Sequence, residues 1–95
     1  MEQKLQTKII HYLKLRGVYV IKTTPGAGTP VGCPDIIGLY REKHLEMEIK
    51  GDEKSPDQPL QLLTQQRLRE YNKWVYRVHP KNWPIIKAEL EKEFF

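Results

Sequence analysis

Leu5, Ile9, Tyr12 and Leu13 recur at helical spacing, with Lys4, Lys8 and Lys14 elsewhere on the wheel, and predict a helix from about Glu2 to Arg16. Gly17 is placed to stop it. Val18-Tyr19-Val20-Ile21-Lys22 is rich in β-branched and aromatic residues and reads as a short strand. Thr23-Thr24-Pro25-Gly26-Ala27-Gly28-Thr29-Pro30-Val31-Gly32 is a loop by composition. Two more strands follow, Asp35 to Tyr40 and Leu45 to Gly51, joined by the polar turn Arg41-Glu42-Lys43-His44. The first is apolar on both faces, which suits a central strand covered on both sides. Gly51 to Gln58 is a polar connection. Pro59 suits the first turn of a helix that runs to about Tyr71, with Leu60, Leu63, Leu68 and Tyr71 as its apolar face and Asn72 as a left-handed cap. Trp74 to Val78 reads as the last strand, stopped by Pro80. Asn82 is a cap for a closing helix from Trp83 to about Lys92, and Phe94-Phe95 is expected to dock on the core or on a second subunit. The order α-β-β-β-α-β-α predicts an α/β fold, a mixed sheet flanked by helices.

The central hairpin carries the chemistry. Strand side chains alternate, so Glu46, Glu48 and Lys50 share one face and Leu45, Met47 and Ile49 the other. A four-residue turn sets Tyr40 opposite Leu45 and Asp35 opposite Lys50, which makes Asp35 and Glu48 diagonal neighbours roughly 7 Å apart. Both carboxylates then lean onto one divalent cation. A solvated face is the ordinary reading of charged strands. Against it, partly buried carboxylates with a lysine beside them are costly unless a metal or a partner neutralises them.

Composition narrows the field. Ninety-five residues make one domain, residues 1–95. The longest apolar runs are far too short to span a membrane. No signal peptide is visible, and the lone Cys33 fits a reducing cytoplasm. A zinc site is not expected, because Cys33, His11, His44 and His79 show no ligand spacing. The net charge of +4 allows nucleic acid as a partner without demanding it. The Gly/Thr loop is not a Walker loop, since no Gly-Lys-Ser/Thr follows, but its glycines and hydroxyls allow close approach to phosphates. Lys22, Thr24, Gly26 and Gly28 in and beside that loop, and Arg67 on the basic rim of the second helix, are the candidate nucleic-acid contacts.

Pro34-Asp35, twelve residues, then Glu48-Ile49-Lys50 is the PD-(D/E)xK nuclease pattern. Together with Glu2-Gln3-Lys4-Leu5-Gln6, Gly17-Val18-Tyr19-Val20-Ile21-Lys22, Gly32-Cys33-Pro34-Asp35 and Pro59-Leu60-Gln61, it resembles the VRR-NUC (virus-type replication-repair nuclease) family over roughly Glu2 to Val78. A small stand-alone copy is similar to the phage and bacterial members. The resemblance implies a restriction-endonuclease-like fold and a metal-dependent DNA nuclease acting on structured DNA in replication, repair or recombination. Asp35 and Glu48 would hold Mg²⁺ or Mn²⁺, with the carbonyl of Ile49 as a further ligand. Lys50 would meet the attacking water or the scissile phosphate. Glu2, by its residue position a first-turn glutamate favoured by the helix dipole, matches the family's N-terminal glutamate, and Gln61 its glutamine after the lysine motif.

The chemistry suits these roles. Phosphodiester hydrolysis places a water in line and offsets charge on the transition state, work for a hard cation and a compact ammonium. The competing expectations are a nucleic-acid-binding module of the same fold without strong turnover, and a dimeric interaction protein. Small size and the resemblance also predict a homodimer. No base-reading motif is evident, so recognition by shape or backbone is expected.

Overall fold

The computed structural model describes residues 2–23 and 32–95. Thr24, Gly26 and Gly28, the loop candidates for phosphate contact, lie outside the described residues. The elements are α1 (Glu2–Leu15), β1 (Tyr19–Lys22), β2 (Ile36–Tyr40), β3 (Lys43–Ile49), α2 (Pro59–Tyr71), β4 (Val75–Val78) and α3 (Trp83–Glu89), the last continuing into a π-helical turn over Leu90–Phe94. This is the expected order. The four strands form one sheet in the order β1-β2-β3-β4, antiparallel except for the parallel pair β3–β4.

α1 ends as its sequence directs. Gly17 adopts a positive φ of 85°, its N–H bonds to the Lys14 carbonyl, and Val18 N–H bonds to that of Leu13. These paired bonds close the last turn and aim the chain into β1. Leu5, Ile9 and Leu13 of α1 meet Trp83, Ile86, Leu90 and Phe94 from the C-terminal helix over Ile36, Leu45, Met47, Ile49 and Val78 of the sheet. Phe94 is fully buried, so the terminal aromatics dock on this core. Gly38 is required where β1, β2 and β3 crowd together: a Cβ there would lie 2.9 Å from a Val18 methyl and 3.2 Å from Leu45.

The hairpin turn is two residues shorter than expected. Tyr40 pairs with Lys43, and only Arg41 and Glu42 turn the chain, Arg41 with a φ of 57°. Tyr40 is thus not opposite Leu45, nor Asp35 opposite Lys50. Ile36 pairs with Met47, and the same register carried one residue back sets Asp35 across from Glu48. The slip is even, so every side chain keeps its predicted face.

The other face of the sheet departs from expectation. β2 lies between two strands, yet only its Ile36–Gly38 side is buried; Leu39 is exposed and Ile37 half-buried. α2 lies over β3 and β4 and docks there through Gln61, Thr64, Gln65 and Leu68. Leu60, Leu63 and Tyr71, expected to face the core, are 50%, 45% and 84% exposed, and Leu62 is exposed with them. The cause is the surface beneath: Glu48 and Lys50 need hydrogen-bond partners, which Gln61 of α2 supplies and its leucines do not, while Asn72 just past the helix bonds Glu46.

Asn72 and Asn82 also act differently from simple caps. Asn72 is extended (φ −150°, ψ 130°), not left-handed, and its amide donates to the His44 and Trp74 carbonyls and to Glu46. Asn82 precedes α3, but its side chain reaches back, accepting from His79 N–H and donating to the Arg77 carbonyl. Among the described residues, no helix is long and apolar enough to cross a membrane.

Candidate functional site

The site forms where β2 begins and β3 ends. Asp35, one residue ahead of β2, accepts the Ile49 N–H on Oδ2 at 2.8 Å. In an antiparallel ladder a residue's N–H and C=O point to the same neighbouring strand. The Ile49 carbonyl is thereby turned to the Asp35 edge. Thr23 steadies the approach, its hydroxyl donating to the Pro34 carbonyl at 2.5 Å and its N–H to that of Asp35 at 3.0 Å.

Glu48 and Lys50 project from β3 toward α2 and are 5% and 8% exposed. Gln61, in the first turn of α2, connects them. Its amide donates to Glu48 Oε1 at 2.5 Å, and its Oε1 accepts from Lys50 Nζ at 3.1 Å and from Gln58 N–H at 3.1 Å. Of the glutamines in this region, Gln61 is the one bonded to both Glu48 and Lys50. The Lys50 ammonium also donates to the Pro56 carbonyl at 3.2 Å and stands 3.4 Å from Asp57 and 3.8 Å from Glu48.

Burial pushes the Glu48 carboxyl up to about 7, with Asp35, Asp57 and Glu2 adding repulsion that Lys50 only partly offsets. Burial, then Asp35 and Glu48, push the Cys33 thiol up as well, which marks Cys33 as a neutral neighbour of the carboxylate pair. The charge of Glu48 has a deficit of positive partners, the condition under which a divalent cation binds oxygen ligands. The donors suited to a cation are the Asp35 and Glu48 carboxylates and the Ile49 carbonyl. Among the described residues no group of three or more His, Cys, Asp and Glu side chains forms a metal cage. A two-carboxylate set fits Mg²⁺ or Mn²⁺, which keep waters and share substrate phosphates.

The other expected residues separate into near and far. Glu2 begins α1 beside Gly51, its backbone 3.9 Å from where a Gly51 Cβ would stand, and its charge is felt at Glu48. Lys22 pairs with Ile36, so the register assigns it to the face opposite Asp35 and Glu48. Arg67 is exposed further along α2. A groove of about 380 Å³, lined by Gly51, Asp52, Glu53, Lys54, Pro80 and Lys81, opens beyond Lys50 at the carboxyl ends of β3 and β4. Glu53 is paired there with Lys81 at 2.7 Å.

Two charged residues at the site were not singled out by the sequence. Asp57 comes from the polar connection, and Arg77 from β4, in register with Glu48. Arg77 Nε donates to Asp57 Oδ2 at 2.8 Å, and its terminal nitrogen donates to the Ser55 carbonyl. The available signal was alternation in β4, which sets Arg77 on the same face as Val75, above the acidic side of the sheet.

No family model matches the chain, and neither a curated protein nor a solved structure matches it.

Proposed function

We propose that the protein is a Mg²⁺- or Mn²⁺-dependent nuclease that hydrolyses phosphodiester bonds of structured DNA in the cytoplasm. The observation that carries this reading is the convergence of Asp35, Glu48, Lys50 and Gln61 at one end of the two central strands, with the Ile49 main chain bonded to Asp35. These are the residues that the resemblance to the VRR-NUC family assigns to catalysis.

A bound cation would supply Lewis-acid charge for the phosphate and an acidified water. Asp35, Glu48 and the Ile49 carbonyl would hold it. Glu48 would bind it in its ionised form, while the Gln61 amide holds the carboxylate. Lys50 has three N–H donors, two of which go to Gln61 and Pro56. The third makes no hydrogen bond, although Asp57 stands 3.4 Å away, and it would meet the attacking water or a phosphate oxygen, where charge develops in the transition state. Glu2 contributes negative charge at the rim, and the groove beyond Lys50 offers room for a nucleotide next to the scissile bond.

The test is cleavage of labelled single strand, duplex, flap, splayed arm and four-way junction with Mg²⁺, Mn²⁺ or EDTA. Cutting with either metal and none in EDTA is the expected result. Tight binding without cutting under any metal would replace this reading with a nucleic-acid-binding module.

We further infer a homodimer. What supports this reading is the exposure of Leu60, Leu62, Leu63 and Tyr71 on α2, and of Tyr19 and Leu39 on the sheet face that α2 covers in part. Light scattering at working concentration should give twice the 11.3 kDa chain mass, and a monomer mass removes the inference.

A further inference from the structure

We infer that Asp57 and Arg77 are positioning residues for Lys50: Arg77 fixes Asp57, and Asp57 holds the ammonium where the proposed reaction needs it. The inference rests on the nuclease reading for its kinetic consequence, but its structural claim stands on the geometry alone.

The chain of contacts runs from the sheet to the ammonium. Arg77 projects from β4 next to Glu48 and is anchored twice in the connection between β3 and α2, on the Asp57 carboxylate and the Ser55 carbonyl. A guanidinium bonded at two points in a fixed fork sets the orientation of what it binds. Asp57 is mostly buried, and its second oxygen, Oδ1, has no hydrogen-bond partner of good geometry; it faces Lys50 Nζ at 3.4 Å. That oxygen stays in place because Arg77 holds Oδ2.

Lys50 is a flexible four-carbon stem, and a bare lysine has no reason to keep its head in one place. Here the head is held on one side by the Pro56 carbonyl, on another by Gln61 and on a third by Asp57. Pro56 and Asp57 are adjacent in the segment that Arg77 anchors. One residue on a rigid strand thereby controls two of the three contacts.

Charge makes the same point. Asp35, Glu48 and Asp57 bring three carboxylates to this edge, and Lys50 and Arg77 bring two cations. The remaining negative charge suits the arrival of a divalent cation and a phosphodiester together. Without Arg77, Asp57 loses the partner that fixes Oδ2, and the oxygen that faces Lys50 is no longer held in place.

Asp57→Asn, Arg77→Met and Arg77→Lys test this in the full-length protein, each first checked for a wild-type far-ultraviolet spectrum. The structural readout is the rate at which an amine-acetylating reagent modifies Lys50, followed by mass spectrometry, with exposed Lys14 and Lys87 as internal standards. We expect several-fold faster labelling of Lys50 in Asp57→Asn and Arg77→Met, an intermediate rate in Arg77→Lys, and no change at the standards. Cleavage should show kcat reduced about tenfold or more with KM within about twofold, and Arg77→Lys should recover part of it. Unchanged Lys50 labelling in both Asp57→Asn and Arg77→Met overturns the inference, as does a loss confined to KM. A wild-type protein that cuts with neither metal refutes the nuclease reading instead, and labelling then decides the positioning role by itself.

Discussion

Lys50→Ala should lose cleavage by at least about 10²–10³-fold, the effect of removing a single charge stabiliser from a phosphoryl or acyl transition state. The loss should fall on kcat, since the ammonium meets charge that exists mainly in the transition state. Metal binding should survive, because Asp35, Glu48 and the Ile49 carbonyl are untouched. The fold should survive as well: Lys50 lies just past the end of β3, and its partners are carbonyl, amide and carboxylate oxygens rather than the apolar core. Metal titration and a melting curve beside the turnover assay separate these effects. Activity within twofold of wild type would remove Lys50 from the mechanism.

The second large effect is a dependence of stability on pH set by Glu48. Its carboxyl is raised from 4.5 to about 7 in the folded chain, first by burial and then by Asp35. The folded state therefore holds its proton more tightly than the unfolded state does. Stability from this group is fully present below pH 4.5 and is lost as pH rises through about 7. The shift corresponds to a loss on the order of 3 kcal/mol. For a domain this small that lowers the melting temperature by about 10 °C or more. The metal-free protein in EDTA should thus melt higher at pH 5 than at pH 8. Mg²⁺ or Mn²⁺ should reverse the loss at pH 8 and do little at pH 5, because only the ionised carboxylate binds a cation. Glu48→Gln should flatten both dependences. A Glu48→Gln variant with the wild-type pH profile would assign the effect to another group.

Much of the hairpin was legible because its information is local. Alternation assigns Glu48 and Lys50 to one face, a turn of even length brings Asp35 to it, and an error of two residues in the turn leaves that assignment intact. Gln61 came from the family resemblance rather than from its position, which reads as an ordinary exposed glutamine and leaves Gln58, Gln65 and Gln66 as alternatives; the bonds to Glu48 and Lys50 single it out. The outward leucines of α2 were not legible. A helical apolar pattern normally marks the buried side, and it misleads when the surface below is itself charged. Arg77 and Asp57 were hidden for another reason. Their pairing depends on the parallel docking of β4 against β3, a contact between distant segments that no spacing rule encodes. Lys22 shows the same limit: its distance from the carboxylates follows from its pairing with Ile36, not from its position in the chain.

The polar seat of α2 has one more consequence. Gln65 is the one buried residue of the helix, and its side-chain bonds to the sheet come from Gln61, while α1 buries Leu5, Ile9 and Leu13. Exchanging such bonds for bonds to water costs little net free energy compared with opening an apolar interface. Detachment of α2 is therefore expected to cost less free energy than global unfolding. Local opening is then expected to move the wall of the site, the helix that carries Gln61, before its floor, and faster amide hydrogen exchange in α2 than in β3 is the measure of it.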